Sequence, residues 1–176
     1  MRLEDYTEIS CNEMEQASLF PKRLTFGHIV NHREPKGTRF VLDAVHKARM
    51  AGADFSFLFG ERFSHKDAMQ LYQKIDVLLE QFVIGWYGLQ ACEVALMGKP
   101  IVVWINRQDG PPLVPQAMWD EIPFINAPPW DLAGIITRIC TMDRRELYEI
   151  GQRGKQFVSK WHSDKRVAEQ ILEDLA

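Results

Sequence analysis

Several absences narrow the reading before any motif is considered. There is no excess of positive charge: 21 Lys and Arg stand against 24 Asp and Glu, for a net charge of −3. A chain so balanced has no global means of neutralising a phosphate backbone, so no nucleic-acid partner is expected. Cysteine is scarce. The three present, Cys11, Cys92 and Cys140, are odd in number and widely separated, without C-x-x-C or Cys/His ligand spacing. This excludes a disulfide scaffold and a zinc module, and it fits reduced thiols in a cytoplasmic protein. The five histidines (His28, His32, His46, His65 and His162) are scattered and form no zinc motif, so no metal site is expected. No apolar run approaches about eighteen residues and no signal-peptide pattern opens the chain, so no transmembrane segment is expected. Internal repeats and low-complexity segments are missing too. So are the Gly-Lys-Ser/Thr ending of a P-loop and the G-x-G-x-x-G dinucleotide fingerprint.

What remains is an ordinary globular composition, 46% hydrophobic and 26% charged over 176 residues, enough to bury one core. Residues 1–22 are polar and irregular and read as a lead-in or linker. Residues 23–176 alternate strand and helix. Leu24–Val30 predicts a strand, followed by a polar loop from Asn31 to Gly37. Phe40, Val41, Ala44, Val45 and Ala48 recur at helical spacing, and Gly52 ends that helix. Phe55–Phe59 predicts the second strand. Ser64 and Asp67 open a helix with apolar Ala68, Leu71, Tyr72 and Ile75. Asp76–Leu79 predicts a third strand, Gly88–Met97 a third helix and Ile101–Ile105 a fourth strand. A long loop runs from Asn106 to Asp120. Pro123–Asn126 predicts a short fifth strand, and Pro129–Cys140 a helix with prolines at its start. Two closing helices follow: the first is capped by Asp143 and Glu146, and the last carries Val167, Ile171, Leu172 and Leu175. This order predicts an α/β fold, a single Rossmann-like, doubly wound parallel sheet. Ligands of such sheets bind outside the carboxyl ends of the strands, where the loops at 31–37, 60–65, 82–89 and 106–115 should lie.

Two of those loops carry candidate chemistry. Arg33 and Lys36 stand three apart where a strand gives way to a helix. Two cations at a helix N-terminus are unfavourable unless an anion lies between them. A diphosphate would supply it; the plain alternative is two solvated charges, one neutralised by Glu34. The segment Gly85-Trp86-Tyr87-Gly88-Leu89 is a glycine-bounded turn opening a helix, which presents free backbone N–H groups to an anion. Equally, its aromatics could pack on the core; both readings can hold at once. Glu93 lies on an otherwise apolar helix and is expected to point into a site, not into solvent. His28 could face a cleft or be a satisfied core histidine. His162 reads as a helix-junction contact, and Trp104, Trp130 and Trp161 as packing.

The ordered blocks HIVNHREPKGTRFVLDAV (28–45), KIDVLLEQFVIGWYGLQACEVALMGKPIVVWI (74–105) and YEIGQRGKQFVSKWHSDKRVAEQIL (148–172) resemble the C-terminal domain of family 4-like, GT-B fold glycosyltransferases. The resemblance covers residues 23–176. It implies a donor site for a nucleoside-diphosphate sugar, with no separate cofactor. Arg33, Lys36 and the backbone amides of Gly88 and Leu89 would hold the diphosphate, and Glu93 the ribose hydroxyls. The loop from Gly60 to His65 would lie near the nucleobase. It further implies transfer with retention at the anomeric carbon, with the leaving group stabilised by fixed cations and not by a metal. Two departures matter. The family's sugar-facing glutamate, eight positions before the ribose-binding one, falls at Gly85. The family also has two Rossmann-like domains with the active site between them, and this chain has one. Leu3–Tyr6 would follow the acceptor-binding half, which would be a partner domain or subunit, with catalytic residues unassigned. In that full-length context a membrane-peripheral location is compatible with the cytoplasmic expectation. Three alternatives stand beside this reading. One is a non-catalytic nucleotide-binding or interaction module of the same fold. The second is a nucleotide-sugar epimerase. A signalling receiver domain is disfavoured because Asp76 begins the third strand instead of ending it.

Overall fold

Short apolar runs bounded by polar turns form the centre of the sheet. In the computed structural model, which describes residues 21–108 and 114–174, these are β1 (Thr25–Val30), β2 (Ser56–Glu61), β3 (Val77–Leu79), β4 (Ile101–Val103) and β5 (Ile125–Asn126). All pairings are parallel, in the order β2-β1-β3-β4-β5. The central strands are buried on both faces, as a parallel sheet requires. Along β3, Val77 and Leu79 enter one hydrophobic cluster while Leu78 enters the other.

Helices cover both faces. Among the described residues they are α1 (Arg33–Lys36), α2 (Thr38–Met50), α3 (His65–Gln73), α4 (Leu89–Leu96), α5 (Gln116–Glu121), α6 (Leu132–Thr141), α7 (Arg144–Trp161) and α8 (Asp164–Asp174). α2 packs with α6 on one side and α4 with α7 on the other. Local chemistry sets the boundaries. Ser64 accepts the Asp67 N–H at the start of α3, and Asp143 accepts those of Arg145 and Glu146 at the start of α7.

Four expectations are corrected. The loop at 31–37 contains a helical turn, α1, closed by Gly37 in the left-handed conformation (φ 71°). The stretch from Asn106 to Asp120 contains the start of α5. Phe124 does not join β5; it packs edge-on against Tyr87 and Phe157, at 5.0 and 5.6 Å. The apolar positions Val167, Ile171 and Leu172 of α8 are exposed, so the last helix does not bury that face in this chain. Leu175, the lead-in up to residue 20, Cys11 and residues 109–113 lie outside the described residues.

The strand order reverses direction at β1 and β3. From β1 the chain crosses to β2 on one side, and from β3 it proceeds to β4 on the other. The loops leaving the carboxyl ends of these two neighbours therefore diverge and open a crevice between them.

Candidate functional site

The crevice is built from the loop after β1, including α1, and the loop after β3. A backbone bond ties them: the Phe82 N–H donates to the Lys36 carbonyl at 3.2 Å. Beneath them lies His28, fully buried on β1. Its Nδ1 meets the Leu79 carbonyl at 2.7 Å and its Nε2 the Thr38 hydroxyl at 3.0 Å. Burial holds the ring neutral, lowering its pKa to about 4 against the pull of the Leu79 bond, with Lys36 adding to the lowering. A carbonyl only accepts, so Nδ1 carries the proton and Thr38 donates to Nε2. His28 is thus a satisfied core histidine that fixes the start of α2 against β3.

Above it, a cavity of about 410 Å³ is lined by Lys36, Phe63, His65, Gln81, Leu89 and Glu93, among others. Three of the residues singled out in the sequence therefore meet around one space: Lys36, Leu89 and Glu93. Glu93 projects from α4, whose other residues from Ala91 to Leu96 are buried and apolar. It is only 5% exposed, and its Oε1 pairs with His65 Nε2 at 2.8 Å. The loop at 60–65 contributes Phe63 and His65 to the same wall. α4 begins at Gly88, which makes no side-chain cap, and the Gly88 carbonyl accepts the Ala91 N–H of the first turn at 3.0 Å.

Arg33 lies elsewhere. It makes a two-point ion pair with Glu61 at the end of β2 (2.9 and 2.5 Å) and stands over the Phe59 ring at 5.2 Å. That pairing holds the Glu61 carboxyl below its usual range. With Thr38, Arg39, Leu42 and Val83, Arg33 lines a neighbouring cavity of about 500 Å³. Arg33 and Lys36 therefore leave α1 toward different partners.

Gly85 has a left-handed backbone (φ 79°), and its carbonyl accepts the Asn106 N–H at 2.9 Å. A Cβ at this position would stand 2.9 Å from Asn106 Cβ. The next two residues face the core. Trp86 stacks on Tyr87 at 4.7 Å and meets Trp119 edge-on at 4.8 Å. The Tyr87 hydroxyl and His162 Nε2 are hydrogen-bonded at 2.8 Å, and burial lowers the His162 pKa. His162 also caps α7 through its backbone N–H, so it is a junction contact.

Sequence reasoning missed Glu80 and Gln81. Both are buried at the carboxyl end of β3, where Glu80 forms an ion pair with Lys36 and the Gln81 side chain donates to the Trp86 carbonyl. The signal was present: Glu80 and Gln81 interrupt the otherwise apolar run from Val77 to Ile84 at the point where a parallel strand ends. Burial raises the Glu80 pKa, opposed by the Lys36 charge and by the Gly88 N–H that faces the carboxylate. Among the described residues no group of His, Cys, Asp or Glu side chains is arranged to hold a metal, and no helix is long and apolar enough to cross a membrane.

No protein-family model and no curated protein matches the sequence. Solved structures match its fold. A mutant of S. aureus TarM, in complex with fondaparinux, alpha-GlcNAc-glycerol and UDP, superposes with a TM-score of 0.64 at 14% identity; the match covers 88% of this chain and 36% of TarM. Sucrose-phosphate synthase from Thermosynechococcus elongatus gives 0.62 at 16% identity, over 98% of this chain and 49% of its own. The C-terminal domain of LpcC, a glycosyl transferase group 1 family protein from Francisella tularensis, gives 0.59 at 16% identity, over 93% of this chain and 99% of that domain. The chain thus spans between about a third and a half of the first two and nearly all of the third. Its parallel α/β sheet, with closing helices, has the fold of the C-terminal domain of GT-B glycosyltransferases.

Proposed function

We propose that this chain is the donor-binding domain of a glycosyltransferase and takes a nucleoside-diphosphate sugar at the β1/β3 switch point. One observation carries the reading: Lys36, Leu89 at the start of α4, and Glu93 border one cavity of about 410 Å³, and the helix's N-cap, Gly88, lies beside Lys36. A lysine and a helix N-terminus attract a diphosphate. A carboxylate further along that helix accepts hydrogen bonds from ribose hydroxyls, and the wall of Phe63 and His65 suits a base. Arg33 joins the diphosphate only by leaving Glu61, so its share of the affinity is smaller than that of Lys36. Glycosyl transfer needs an acceptor site, which a second, N-terminal half or subunit would supply. The UDP in the TarM complex and the similar fold support the class of ligand.

The test is calorimetric titration with UDP, GDP and ADP. Binding of one of them in the micromolar range or weaker is expected, at about −8 kcal/mol or less favourable. Glu93→Ala should weaken it by about tenfold or more, since a hydrogen bond to a charged acceptor is lost. A folded protein that binds none of the three overturns the proposal.

A second reading, a nucleotide-binding module without catalysis, is favoured by one observation: position 85 carries no carboxylate, and its left-handed backbone would set any Cβ 2.9 Å from Asn106 Cβ. Transfer assays with several donor sugars, with and without an N-terminal half, separate the two. Robust transfer by this chain alone would rule out the module.

A further inference from the structure

Glu80 is a fully buried acid in the crevice that a diphosphate site does not call for. Its carboxylate is fully buried at the end of β3, between α1 and the start of α4. Oε1 is paired with Lys36 Nζ, and Oε2 has no hydrogen-bond partner. A Cβ on Gly88 would stand 3.3 Å from Oε1 and 3.8 Å from Lys36 Nζ, so carboxylate, ammonium and helix N-terminus converge on one point. The Gly88 N–H faces the carboxylate as well. Glu80 therefore engages the same donors that a phosphate would need, and it cancels the charge of Lys36.

We infer that Glu80 is a resident anion in the donor site, and that a nucleoside-diphosphate sugar displaces it from Lys36 with uptake of one proton by the Glu80 carboxyl. This inference rests on the site proposed above. A diphosphate brought to Lys36 would leave the fully buried Glu80 carboxylate beside a second anion and without its cation, which favours its neutral form. The diphosphate of a nucleotide sugar is a diester too acidic to protonate near neutral pH, so the carboxyl takes the proton from solvent. No covalent bond changes. A protonated Glu80 becomes a hydrogen-bond donor, and Lys36 is released as an uncompensated cation. Burial acts in the same direction, raising the Glu80 pKa, while Lys36 and the Gly88 N–H oppose it.

The groups around Glu80 have other assignments. His28 on β1 is neutral and satisfied. The thiol of Cys92 on α4 is pushed up to about 12, by burial first and then by Glu80 and Glu93. Glu93 is paired with His65, and His32 lines the same cavity. The two histidines are the competing sources of a proton effect.

The experiment is calorimetric titration of the chain with UDP-glucose, GDP-mannose and ADP-glucose, none of which ionises at its diphosphate near neutral pH. It is run from about pH 5.5 to about pH 8 in paired buffers of different ionisation enthalpy. Uptake approaching one proton per bound ligand is expected, with affinity rising as pH falls by up to about tenfold per pH unit. Glu80→Gln should abolish both effects and tighten binding by about tenfold at the alkaline end. Should that variant fail to fold, His65→Gln and His32→Gln decide: uptake that persists in both supports Glu80, and its loss in either overturns the inference. Binding without proton uptake and with flat pH dependence also overturns it, while leaving the proposed donor site standing. Failure of all three nucleotide sugars to bind defeats both.

Discussion

At position 85 the missing side chain matters less than the backbone beneath it. The sequence already marks Gly85 as the place where the resembling family carries a sugar-facing glutamate. It does not reveal that the residue is left-handed, or that a Cβ there would crowd Asn106. Restoring the glutamate should therefore not restore a sugar contact. Gly85→Glu and Gly85→Ala should each lower stability by roughly 1–3 kcal/mol through strain and crowding, read as a fall in melting temperature. An unchanged melting temperature in both variants would mean that the loop adapts freely. Glu80 teaches the opposite lesson. Its type and position were visible after an apolar strand, yet only the meeting of β1 and β3 places it against Lys36. Arg33 and Lys36 are three apart in sequence, but Glu61 on β2 and Glu80 after β3 draw them to different sides.

Elements announce their ends more clearly than their partners. The caps at Ser64 and Asp143 were legible because a short polar side chain followed by an acid satisfies first-turn N–H groups locally. The helical turn α1 was not legible, since four residues carry too little periodicity. The packing of α7 on the Gly98 turn was equally hidden. A Cβ on Gly151 would overlap the Gly98 carbonyl oxygen and stand 2.9 Å from its carbon, whereas one on Gly154 would make ordinary contacts of 3.6 and 3.7 Å. Gly151→Ala should cost about 3 kcal/mol by forcing α7 off the turn, the upper range for overpacking. Gly154→Ala should be neutral or stabilising, by up to about 1 kcal/mol from helix propensity. Urea midpoints of the two variants check this, and equal midpoints would refute the close approach.

For the whole molecule, His28 links β1, β3 and α2, and its burial makes stability depend on acid. Its folded pKa is about 4, against 6.5 when unperturbed. Between those values the unfolded chain binds more protons. Its contribution is therefore complete above about pH 6.5 and lost as pH falls toward 4, amounting to about 3 kcal/mol. Asp76 and Glu80, raised by burial, act with the opposite sign in the same range, so the test compares wild type with His28→Gln. The wild type should lose more stability on acidification; parallel losses would remove His28 as the cause. The exposed Val167, Ile171 and Leu172 of α8 belong to this scale too, since a face left open by one chain is invisible to periodicity. By itself, the sequence determined the α/β alternation, the parallel sheet, the helix caps and the identity of Lys36, Gly88, Leu89 and Glu93 as candidates. These follow from local periodicity, turn chemistry and an acid on an apolar helix. The tertiary structure alone decided the β2-β1-β3-β4-β5 order, the crevice it opens and the pairing of Lys36 with a buried Glu80. Strand order brings together residues far apart in the chain, and no local pattern encodes which strands become neighbours.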